Sequence, residues 1–166
     1  MLSHYVADAH VPPHCDSRKF SEGENIHSEM EGVWEDAVTR SFDIDAANQR
    51  FLYEKDGYPS LKNQAAFDGS ALRRTQDELA ARIFVIDYGG GNRNVLDYLH
   101  AVCRHSYLLS YSFIPFAFNE TNVTKTTWQN LTGQTVTAEE MNIAVLSDAI
   151  DSVARVWLRV WRRFLS

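Results

Sequence analysis

The chain closes on the segment TAEEMNIAVLSDAIDSVARVWLRVWRRF, residues 137–164, and a protein with such an end must supply helices for it to pack against. Thr137 and Glu140 have the spacing of a capping box, in which each side chain satisfies the other residue's backbone N–H. Behind them Met141, Val145, Ala149, Val153, Trp157, Val160, Trp161 and Phe164 recur at helical spacing, which predicts one stripe buried along the whole helix. The same period is found upstream. Residues 1 to about 10 read as a helix stopped by Pro12-Pro13, because proline removes a donor and clashes with the preceding turn. A second helix starts near Asn25 or Ile26, with Ile26, Met30, Val33, Trp34, Ala37 and Val38 on one side and an end at Ser41-Phe42. SALRRTQDELAARIFVIDY predicts a third, ending at Gly89-Gly90-Gly91, and a fourth runs from Asn94 toward Pro115. Residues 54–69 and 119–136 read as loops, and no alternating pattern predicts a strand. The expected class is all-α, a multi-helix bundle in a single domain over residues 1–166.

Composition excludes several functions. The formal net charge of −6 argues against a general nucleic-acid binder, although bound cations reverse the sign locally at a phosphate site. No apolar run reaches the roughly 20 residues that span a bilayer, and MLS is not a signal peptide. Two cysteines, Cys15 and Cys103, cannot build a disulfide framework.

Chemistry concentrates in HYVADAHVPPHCD, residues 4–16, and in HSEME, residues 27–31. His4 and Asp8 stand four apart, one turn of a helix, and so do His27 and Glu31 on the next helix. His14 lies between the pairs, behind the two prolines. Imidazole nitrogen and carboxylate oxygen are zinc ligands, and three protein donors with an open position make a catalytic zinc site. One such pair is ordinary surface chemistry; two pairs joined by a loop histidine predict a metal site in which His14, His27 and Glu31 converge.

The order His4-Tyr5, Asp8, Pro12, His14 followed by His27 and Glu31 resembles the motifs of the zinc-dependent phospholipase C family, and more distantly the single-strand nucleases of the same superfamily. Ser28 after His27 is also phospholipase-like, and Glu31 after Met30 favours that branch over the nucleases, which close this motif with aspartate preceded by tryptophan. The resemblance covers residues 4–31. It implies an all-helical fold with up to three zinc ions that hydrolyses phosphodiesters by metal-activated water, with phospholipid favoured over nucleic acid as substrate. His4 would bind the first zinc and Asp8 would bridge it to a second, making Asp8 the catalytic candidate. His14, His27 and Glu31 would hold the remaining ion, the one site with three protein ligands. The family's other ligands precede the first motif, so the resemblance implies a chain that begins inside a metal site, the C-terminal portion of the family fold. Feeble hydrolysis is then expected, and a homo-oligomer or a marginal monomer, because Leu2, Tyr5, Val6 and Ala9 would lose part of their cover. The family is exported, although this chain shows no signal peptide. A catalytically incomplete zinc-binding module, a nuclease-like phosphodiesterase and a purely structural helical protein are the alternatives.

Other residues take plainer readings. His10 is expected at the surface or behind the metal ligands, and His100 and His105 partly buried in their helix. Cys15 adjoins His14, and adjacent residues rarely share one ion. GGGNRN follows a helix rather than a strand, unlike a phosphate-cradling loop. Asn119, Asn122 and Asn130 open N-x-[ST] sequons. The end RVWLRVWRRFLS suits either a membrane interface or, as the expected role, core packing with a cationic last turn.

Overall fold

In a computed structural model, residues 2–16, 26–81, 94–113, 127–129 and 135–165 are described, with residues 26–30, 112–113, 127–129 and 138 described by backbone alone. Helix α1, Leu2–Asp8, ends as the proline pair requires: Ala9, His10 and Val11 still donate to Tyr5, Ala7 and Asp8, and Pro12 and Pro13 have no N–H to continue with. A 3-10 turn, Pro12–Cys15, follows with both prolines buried. Helix α2 is Ile26–Ser41, with Ala37 and Ser41 buried, and α4 is Ala71–Ala81. Helix α5, Val95–Phe113, starts where the Asn94 side chain accepts the Asp97 N–H at 2.8 Å. Helix α6, Ala138–Phe164, carries the predicted capping box, with both reciprocal bonds formed at Thr137 and Glu140. The described residues are mostly helical, in agreement with the all-α class.

Three local features depart from the loops and helices expected. Two antiparallel ladders are present, β1 Ile44–Asp45 with β2 Arg50–Phe51 and β3 Thr127–Gln129 with β4 Thr135–Thr137. Strands of two and three residues are too short to alternate visibly in sequence. Within the expected 54–69 loop, α3, Gln64–Asp68, forms behind an Asn63 cap, and its Phe67 ring meets Phe42 edge-on at 5.7 Å. The end of the third predicted helix beyond Ala81, the Gly89-Gly90-Gly91 stop, Pro115 and the three sequon asparagines lie outside the described residues.

Helix α6 is the spine. Helix α4 packs on its N-terminal half, joined by an Arg74–Glu139 ion pair, while α1 runs antiparallel along the later half, with Ser3 at Trp157 and His10 at Ser152. Val6 is fully buried there, and the Trp157 indole N–H donates to Ser3 at 2.9 Å. Helix α5 packs against the 3-10 turn: Ser106 donates to the Ala9 carbonyl at 2.5 Å and Ser110 to the Asp16 carboxylate. The expected stripe holds only for its first half. Met141, Val145 and Ala149 are buried, Val153 is partly covered, and Trp157, Val160, Trp161 and Phe164 are exposed. The reason is length: α6 has 27 residues, about 40 Å, whereas α1 has 7 and α4 has 11, about 10 and 16 Å.

Candidate metal centre

Three segments bring the predicted ligands together. On α1, the His4 and Asp8 side chains meet one turn apart, with Nε2 to Oδ2 at 3.2 Å. The buried Pro12-Pro13 step and the His14 N–H bond to the Val11 carbonyl aim His14 back toward α1. Its Nδ1 lies 3.7 Å from Asp8 Oδ1 and its Nε2 lies 3.7 Å from Glu31 Oε1 on α2. One imidazole therefore stands between two carboxylates contributed by different helices. The side chains are partly open, His14 at 26% and Glu31 at 45% exposure, so the row faces solvent access rather than a sealed core.

Imidazole nitrogen and carboxylate oxygen are donor types that zinc accepts. Bonds of about 2.0–2.1 Å in tetrahedral array put neighbouring donor atoms roughly 3.3 Å apart, close to these separations. The two 3.7 Å contacts are too long for direct hydrogen bonds. Because the two nitrogens of His14 point in different directions, one ion at His14 is shared with only one of the carboxylates. His14 beside Glu31 is the pairing that the resemblance implies. Among the described residues no three such side chains are grouped as a metal needs them. His4, Asp8, His14 and Glu31 form a row rather than a cluster. The side chain of His27, which would make His14 and Glu31 a set of three, lies outside the described residues.

Other histidines are placed differently from expectation. His10 is not at the surface: it is buried, its Nδ1 is 2.7 Å from the Val6 carbonyl, and its Nε2 is 2.9 Å from the Ser152 hydroxyl on α6. A carbonyl only accepts, so Nδ1 carries the proton; Nε2 then accepts from Ser152, which accepts from the Tyr98 hydroxyl at 2.5 Å. Burial pushes the His10 pKa down, against the opposing pull of the Val6 carbonyl and of the Asp148 and Asp151 charges. His100 and His105, expected partly buried, are exposed, because α5 buries the Val102, Ser106, Ser110 edge instead. Cys15 points inward, its thiol 3.6 Å from the Ala9 carbonyl and beside Cys103, and burial followed by the neighbouring thiol pushes its pKa up to about 12. Tyr98, Cys103 and Ser152 carried no sequence signal, since each partner lies tens of residues away.

Comparison with protein-family models, curated proteins and solved structures finds no match for this chain.

Proposed function

We propose that this chain is a zinc-dependent phosphodiester hydrolase resembling phospholipase C. One observation carries the reading: residues in the family's motif order come from α1, the 3-10 turn and α2, and fold so that His14 lies between Asp8 and Glu31. His14, Glu31 and His27 would hold one zinc, and His4 and Asp8 belong to the neighbouring positions. Zinc, when bound, supplies Lewis acidity at a phosphoryl oxygen and a nucleophile at neutral pH. The chain's own part is positional. The proline pair fixes the His14 backbone between Asp8 and Glu31, and partial exposure of the row admits a substrate phosphate. The net charge of −6 favours a phospholipid over a polyanionic nucleic acid.

The test is zinc binding by calorimetry together with release assays on phosphatidylcholine, an aryl phosphodiester and single-stranded DNA, with added zinc or chelator. Zinc binding that is lost in His14→Ala and Glu31→Gln, with zinc-dependent phosphatidylcholine turnover, is the expected result. A chain that binds no zinc would end the reading. Binding without turnover would favour a catalytically incomplete zinc module, the second reading, which the row-like arrangement of the described donors supports.

A further inference from the structure

Beyond the Trp157 indole, whose N–H bonds Ser3 of α1, the end of α6 presents apolar side chains that the described elements leave exposed. Over the last turns Trp157, Leu158, Val160, Trp161, Phe164 and Leu165 are exposed, Trp161 at 62% and Phe164 at 88%. Five of them line an open apolar hollow of about 610 Å³. At 3.6 residues per turn these six side chains occupy an arc of about 160° on the helix. Arg155, Arg159, Arg162 and Arg163 fall on the remaining side, within about 100°. Residues 152–166 contain no acidic residue and carry a formal charge of +4, in a chain whose total is −6, leaving −10 on residues 1–151. Arg162 and Arg163, both exposed, stand nearest the two edges of the apolar arc, whereas Arg155 pairs with Asp151 at 2.8 Å and Arg159 is partly covered.

We propose that this end of α6 docks on an anionic phospholipid surface, with the Trp157–Trp161–Phe164 face in the interface and Arg162 and Arg163 at its edges on headgroup phosphates. Aromatic rings prefer the headgroup boundary, and arginine stems reach along apolar surface to place the guanidinium in the polar layer. A second copy of the chain is a poorer occupant, because two such faces would meet with their arginine-bearing edges together, cation against cation. No helix among the described residues is long and apolar enough to cross a membrane, so the contact is peripheral. The inference is independent of zinc and of hydrolysis.

Flotation of the full chain with ether-linked lipid vesicles in the presence of chelator tests it, since neither zinc nor turnover enters. Vesicles of phosphatidylcholine with phosphatidylserine should bind at least about tenfold better than phosphatidylcholine alone. Trp161→Ser with Phe164→Ser should lower that binding at least about tenfold, and Arg162→Glu with Arg163→Glu should abolish the preference for phosphatidylserine. All four positions are exposed, so both variants should keep the parent circular dichroism. Three outcomes would overturn the proposal: no binding to anionic vesicles, equal binding to both lipids, or light scattering that shows a dimer dissolved by the Trp161→Ser, Phe164→Ser change.

Discussion

His10 shows how one buried side chain ties stability to pH. Its neutral ring links the end of α1 to α6 through Val6 and Ser152, and burial holds its folded-state pKa below the ordinary value. A depressed histidine pKa means that the unfolded chain binds the proton more readily. The stabilisation is therefore whole above about pH 6.5 and is lost as pH falls through the folded-state value. Thermal melts should be flat near neutrality and decline below about pH 6.5. His10→Asn should be less stable at neutral pH and should lack this part of the slope; an unchanged slope would show that other groups set it. The Cys15 thiol is the second residue whose burial has a reactivity consequence. With its pKa pushed up to about 12, only about one molecule in ten thousand is thiolate at pH 8, so native Cys15 should resist iodoacetamide and react on unfolding. Prompt labelling of the native protein at Cys15, mapped by mass spectrometry, would contradict the placement of its thiol against the Ala9 carbonyl and Cys103.

Among the elements, α6 was the most legible and the most misleading. Its start is written in local residues: the Thr137 hydroxyl accepts the Glu140 N–H at 3.1 Å, and the Glu140 carboxylate accepts the Thr137 N–H at 2.7 Å. Thr137→Ala should cost about 1 kcal/mol in urea unfolding, whereas Thr137→Ser should stay near the parent. No loss in Thr137→Ala would mean that packing on α4 alone holds this turn. The far end of the same helix carries the same apolar period, yet Trp161 and Phe164 are exposed because the neighbouring helices stop short. Periodicity reports which side of a helix is apolar, and it says nothing of whether a partner reaches it. The short pieces between Phe42 and Asp68 were invisible for the opposite reason. They rest on a few pairings, such as Phe42 against Phe51 at 5.6 Å, and not on a repeated pattern.

For the molecule as a whole, the candidate metal row joins α1, the 3-10 turn and α2, so ligand binding and folding should be coupled. If zinc binds only the folded chain, saturation at about 100 times Kd adds about 2.7 kcal/mol, and the melting temperature should rise with zinc and fall back with chelator. His14→Ala should abolish that response; a melting temperature indifferent to zinc would count against the row as a metal site. Of the N-terminal residues expected to be uncovered, Tyr5 is 59% exposed and Leu2 half-buried, whereas Val6 and Ala9 are buried in the fold. The sequence by itself determined the helical class, the proline stop after α1, the Thr137 cap and the one-turn spacing of His4 and Asp8, because each depends on residues within a turn of one another. Only the tertiary structure decided that His14 stands between Asp8 and Glu31, that His10 is interior, that Cys15 meets Cys103 and that the end of α6 is bare. Those outcomes depend on which helices cross and where each one ends, and that is set by the sum of weak contacts over the whole chain rather than by any local pattern.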